Sequence, residues 1–196
     1  MHDKWAEAVE EKVCGLDIDG VLNYYPGPWV DFVNKWLDKS YKDLNEVKQN
    51  VPYQVYRDIK YEYRESGVKA KLKVRAGARE LLQALKELGY TNIILTSRPF
   101  NKHKTLFKQT TEWLRLGKLA YDGVIFGENK YQEILQRAPN LKFMLEDHRY
   151  YANMIAKWGY TVFLMDNEYN QGELVQSPGR VIRIKELSEV LTSEYI

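Results

Sequence analysis

From Gly77 onward the apolar positions switch regularly between two periods, and the switching predicts a fold. Residues 78–88 place Leu81, Leu82, Leu85 and Leu88 at helical spacing and stop at Gly89. A continuous apolar run follows at 91–96, closed by Ser97-Arg98-Pro99. The same reading predicts helices over 103–116, 130–137, 149–158 and 186–191, and strands over 123–126, 141–145, 161–165 and 180–184. Upstream, residues 3–11 pattern as a short amphipathic helix leading into a strand at 12–18. Strands alternating with helices predict an α/β fold, a three-layer sandwich whose parallel, Rossmann-like sheet is covered on both faces. Such sheets bind ligands beyond the carboxyl ends of their strands.

Residues 21–74 break this rhythm. They begin with turn formers (Asn23, Pro26, Gly27, Pro28) and continue through helical patterns at 29–39, 43–48 and 52–65. Aromatic residues crowd the segment, among them Tyr24, Tyr25, Trp29, Trp36, Tyr53, Tyr56, Tyr61 and Tyr63. An insertion directly after the first strand sits above the sheet's carboxyl edge. The expected organisation is a core of residues 1–20 and 75–196 carrying a helical cap of residues 21–74.

Composition narrows the setting. A chain of 196 residues with 44% hydrophobic and 29% charged positions can bury an ordinary core. A net charge of +2 is far below that of a protein that coats nucleic acid. The single Cys14 excludes an internal disulfide framework and fits a reducing compartment. No apolar run approaches the roughly 20 residues that span a bilayer. Asp3, Glu7, Glu10 and Glu11 make the first residues unlike a signal peptide. A cytoplasmic protein without a membrane partner is expected, its oligomeric state left open by the spacing.

Chemistry concentrates at strand ends. Leu16-Asp17-Ile18-Asp19-Gly20 puts two carboxylates one residue apart after an apolar run. Residues i and i+2 of a strand share a face, so Asp17 and Asp19 converge, and Gly20 lets the chain turn away. Two such carboxylates repel unless a cation intervenes, and a hard divalent ion such as Mg²⁺ suits them. Thr96 and Ser97 end the second strand, Lys130 opens the helix after the third, and Glu146-Asp147 end the fourth. Acid pair, hydroxyl, lysine and second acid pair at successive strand ends make a metal-dependent phosphate site.

This ordered set resembles the haloacid dehalogenase superfamily, whose motifs run DxD, Thr/Ser, Lys and paired acids. Ile94-Leu95-Thr96-Ser97-Arg98-Pro99, Tyr121-Asp122-Gly123-Val124-Ile125-Phe126-Gly127 and Phe143-Met144-Leu145-Glu146-Asp147 look like its 5′(3′)-deoxyribonucleotidase branch, which carries a helical cap at the same place. The resemblance implies a Mg²⁺-dependent phosphomonoesterase working through an aspartyl-phosphate. Asp17 is then the nucleophile and Asp19 the general acid and base. Thr96, Ser97 and Lys130 bind the phosphate, and Asp17, the Asp19 backbone carbonyl, Asp147 and Glu146 hold the metal. Glu146 departs from the branch, where both acids are usually Asp. The implied substrate is a nucleoside or deoxynucleoside monophosphate, with Arg98, Trp29 and Tyr56 as candidate contacts. Alternatives are a sugar phosphate, or a polynucleotide end tracked by Lys60, Lys69, Lys71, Lys73 and Arg75. A different class is a catalytically weak nucleotide-binding protein. Arg57 and Arg64 read as solvated.

Overall fold

In the computed structural model six strands of the described residues, β1 (Lys12–Leu16), β2 (Tyr90–Thr96), β3 (Gly123–Phe126), β4 (Leu141–Glu146), β5 (Thr161–Met165) and β6 (Arg180–Ile184), form one sheet. Their order is β3-β2-β1-β4-β5-β6 and every neighbouring pair is parallel. The structure describes residues 12–196 apart from 128 and 139, and not the side chains of 130, 131, 134 and 135. The helix expected over 3–11 lies outside the described residues. No helix among the described residues is long and apolar enough to cross a membrane.

Two apolar layers cover the sheet, and the strands feed them by alternation. Cys14, Leu16, Ile94, Phe143, Leu145, Phe163 and Met165 pack with α4 (Ala78–Glu87), α5 (Leu106–Leu116) and α8 (Ser188–Leu191). Val13, Leu95, Met144, Val162 and Leu164 pack on the other face with residues of α7 (Arg149–Lys157) and with Ala138, which follows α6 (Lys130–Arg137). A register shift between Val13 and Cys14 against β4 explains why Leu141 and Phe143, two residues apart, serve opposite layers. Gly15 faces Met144 and Leu95 so closely that a Cβ would overlap both.

Some boundaries differ from the periodicity. The first strand ends at Leu16 rather than at 18, because the chain turns through Gly20 at φ 87°. The helix expected from 103 begins at Leu106, after a tight turn in which the Leu106 amide donates to His103 O at 3.1 Å; the His103 side chain meets Glu65 (Nδ1 to Oε1, 2.8 Å). The helix expected from 186 begins at Ser188, where Glu189 Oε1 accepts from the Lys185 and Glu186 amides.

Between β1 and β2 lie α1 (Gly27–Leu37), α2 (Leu44–Asn50) and α3 (Tyr53–Glu65). They bury a cluster of their own, Trp29, Val30, Val33, Leu44, Val47, Val51, Ile59 and Tyr63. Asp43 caps α2 by accepting from the Asn45 and Glu46 amides at 2.7 and 2.9 Å. At the base an antiparallel bridge joins Asn23 to Val74, and Arg75 donates to the carbonyls of Gly20, Val21 and Asn23.

Candidate active site

The strand order reverses between β1 and β4, earlier strands being added on one side and later ones on the other, and this opens a crevice at their carboxyl ends. Asp17 follows β1 there, its amide donating to Leu145 O at 3.0 Å, and Glu146 closes β4 with Asp147 beside it. All three acids are buried. Asp17, Glu146 and Asp147 each bring one carboxylate oxygen to within 4.8 Å of the others'. Three buried carboxylates so close repel one another unless a cation joins them, and an all-oxygen set suits a hard divalent ion. Glu146 is held for this by the Asp147 and His148 amides, both 3.1 Å from Oε1, so the longer side chain still reaches the cluster.

Tyr169, in the loop after β5, donates its hydroxyl to Asp147 Oδ2, and Asn170 Nδ2 binds the Asp147 carbonyl at 2.7 Å. Burial and then the Asp147 charge push the Tyr169 phenol far up, so it stays a donor. The sequence signalled this pair only by its loop beyond a strand end. Gly20 passes under the same carboxylate, and a Cβ there would overlap it.

Asp19 turns away from this cluster. Its carboxylate takes Lys69 Nζ at 2.7 Å, a two-pronged Arg98 guanidinium at 2.6 and 3.1 Å, and Asn23 Nδ2 at 2.8 Å. Burial alone would raise the Asp19 carboxyl, but Arg98 and Lys69 outweigh it and hold the group well below the usual carboxylate range. Burial and the Arg98 charge pull Lys69 down to about 8 even beside Asp19.

The remaining expected residues fall as follows. Ser97 lines the crevice, while Thr96 is buried and its Oγ1 accepts from the Arg98 amide at 3.3 Å. Lys130 opens α6, its side chain outside the described residues. One reading needs correction: Trp29 is 0% exposed, wedged against Tyr56, Tyr63 and the Lys60 ammonium, and serves the helical cluster instead of the crevice wall. Arg98 lines the crevice and is buried, its guanidinium taken by Asp19 and Thr110. Of the basic residues read as a rim, Lys69 is buried on Asp19, Arg75 is bound to backbone carbonyls and Lys60 lines the crevice, while Lys71 and Lys73 are exposed. Tyr56 does line the crevice.

That crevice is a cavity of about 740 Å³ roofed by α2 and α3, with Asp17, Asp19, Glu146 and Asp147 at its floor. A family model described as 5′ nucleotidase, deoxy (pyrimidine), cytosolic type C protein matches residues 11–177. The chain belongs to this nucleotidase family. It is thus a hydrolase of phosphoric monoesters within the haloacid dehalogenase superfamily. A nucleotidase of Clostridium acetobutylicum is 25% identical over 188 residues, covering 91% of this chain and 90% of the relative. Among solved structures, a candidate beta-phosphoglucomutase from Thermotoga maritima superposes with TM-score 0.65 at 20% identity, covering 93% of this chain and 98% of the other. A haloacid dehalogenase-like hydrolase from Streptococcus pneumoniae gives TM-score 0.59 at 15% identity with the same coverage. At these identities the two structures share the fold.

Proposed function

We propose that this nucleotidase-family chain is a Mg²⁺-dependent phosphomonoesterase that hydrolyses nucleoside monophosphates through an aspartyl-phosphate on Asp17. The observation that carries the reading is the division of labour among the acids: Asp17, Glu146 and Asp147 converge, while Asp19 is drawn aside by Lys69 and Arg98. Asp17, Glu146, Asp147 and the Asp19 carbonyl would hold the ion. When bound, it offsets the negative charge that keeps a carboxylate from approaching a phosphate dianion.

The Asp17 carboxylate attacks phosphorus and the bond to the ester oxygen breaks. The leaving alkoxide takes a proton from Asp19. Water then attacks the aspartyl-phosphate, delivers its proton to Asp19, and frees Asp17 with inorganic phosphate. Asp19 is ionised in the resting site, so it needs a reason to carry a proton. An arriving phosphate dianion supplies one by drawing Lys69 from Asp19 and adding negative charge nearby, both of which raise the Asp19 proton affinity. Thr96, Ser97 and Lys130 bind the transferring phosphoryl oxygens. Residues 21–74 act as a cap that excludes water, and the aromatic wall with Tyr56 offers a face for a base. A cytoplasmic setting agrees with the lone, buried Cys14 thiol.

The test is phosphate release from a panel of ribo- and deoxynucleoside monophosphates, with sugar phosphates for comparison. Asp17→Asn is expected to lower turnover about a thousandfold or more, and EDTA to abolish it until Mg²⁺ is restored. Turnover that survives Asp17→Asn would overturn the mechanism. A preference for sugar phosphates would overturn the substrate.

A further inference from the structure

The roof of the cavity carries more positive charge than one phosphate needs. Lys48, Arg57, Lys60 and Arg64 all line it, and none of them pairs with a carboxylate among the described residues. The acids that could neutralise them are engaged elsewhere. Asp19 is taken by Lys69 and Arg98, and Glu65 by His103 and Thr105. Asp58, the roof's own carboxylate, accepts from Gln54 at 2.9 Å.

Arg57, Lys60 and Arg64 stand three and four residues apart on α3, so they form one stripe facing the cavity. Like charges at these spacings weaken a helix, and each is kept here without a counter-charge. Lys60 is the sharpest case. Its ammonium sits 4.2 Å from the Trp29 ring centre, 5.0 Å from Tyr25 and 5.8 Å from Tyr63, caged by π faces with no hydrogen-bond acceptor among the described residues. Burial, then the Lys69 and Arg64 charges, press its proton affinity well down. Arg57 leans over Tyr53 at 5.7 Å, and Arg64 reaches His103 Nε2 at 3.5 Å, a contact that brings it no carboxylate.

We propose that the Arg57-Lys60-Arg64 stripe, with Lys48, is a second anion site, and that the preferred substrate is a nucleotide bearing a second phosphate besides the one removed. This rests on the nucleotidase reading and sharpens its substrate class. One phosphate monoester is hydrolysed at Asp17: its P–O bond breaks, water supplies the oxygen to phosphorus and a proton to the alcohol. The other phosphate stays on the roof cations and leaves with the nucleoside. A phosphorylated oligonucleotide could offer the second anion as a phosphodiester, and its singly charged linkage makes it the poorer match.

The experiment compares kcat/KM for thymidine 5′-monophosphate, thymidine 3′,5′-bisphosphate and a 5′-phosphorylated thymidine dinucleotide. Enzymes are the wild type, Arg57→Gln, Arg64→Gln and the charge-keeping Arg57→Lys, all loaded with Mg²⁺. The wild type is expected to favour the bisphosphate over the monophosphate by about tenfold, each charge-removing variant to shrink that ratio severalfold, and Arg57→Lys to keep most of it. The preference should also fade as salt rises, because the roof is open to solvent. Equal kcat/KM for mono- and bisphosphate, or a preference untouched by both Gln variants, overturns this inference and leaves the nucleotidase reading standing. A dinucleotide favoured over the bisphosphate overturns it in favour of a polynucleotide end. Turnover of none of the three overturns the nucleotidase reading, and this one with it.

Discussion

Gly20 stands where two demands meet: a backbone φ of 87° and a path directly beneath the Asp147 carboxylate. A side chain is strained by the first and collides with an acid of the cluster by the second. Gly20→Ala is therefore expected to destabilise the fold by about 1–3 kcal/mol. It should also weaken Mg²⁺ activation, read as a shift in the metal concentration for half-maximal activity. An alanine variant with the parent's melting point and metal response would contradict the geometry.

Cys14 makes a quieter prediction at the same scale. Its Sγ donates to Asn92 Oδ1 at 3.0 Å in the core, and burial, then the Asp122 charge, lift the thiol from 9.0 to about 12. The folded state thus prefers the protonated form, so the stability it adds is complete below 9.0 and is lost as pH rises towards 12. At about pH 8 the native protein should resist a disulfide reagent that titrates one thiol after denaturation. Fast reaction of the native protein would show the core to be open.

The three helices α1, α2 and α3 depend on one another, because none could bury its apolar face alone. Trp29 is their keystone, touching Tyr56 and Tyr63 edge-on at 5.2 and 5.3 Å. Trp29→Ala is expected to cost about 3–5 kcal/mol, measured by denaturant unfolding. A loss below about 1 kcal/mol would mean the indole is not the packing centre. The elements also explain which residues could be read from the pattern. Leu81, Leu82 and Leu85 announced α4 through spacing alone, as did the strand at 161–165. Lys69 could not be distinguished from Lys71 and Lys73, since only packing of the turn at Val68–Lys71 against α5 buries one of the three.

Across the whole molecule, the sheet order places the carboxyl end of β1 beside that of β4, and so brings together acids about 130 residues apart in sequence (Asp17 and Glu146). Their mutual repulsion destabilises the protein without metal, and an ion that binds only the folded state reverses this. Mg²⁺ at a hundred times its Kd is expected to add about 2.7 kcal/mol. For a chain of this size that corresponds to a rise in Tm of about 5–10 °C. The rise should vanish in Asp147→Asn. An unchanged Tm in the parent protein would remove the metal from the proposed chemistry, whatever the turnover.

The sequence by itself determined the layered α/β architecture and the helical insertion. Hydrophobic period and turn chemistry act over a few residues, and they are strong here. It also pointed to Asp17, Asp19, Thr96, Glu146 and Asp147, because acids and hydroxyls at the ends of apolar runs have few other reasons to be there. Only the tertiary structure decided which acids share a cluster, that Asp19 is held by Lys69 and Arg98, that Tyr169 braces Asp147, and that Trp29 is core while Arg57, Lys60 and Arg64 face the cavity. Those facts depend on where distant segments meet and on the charge each side chain finds there. Local spacing carries no record of either.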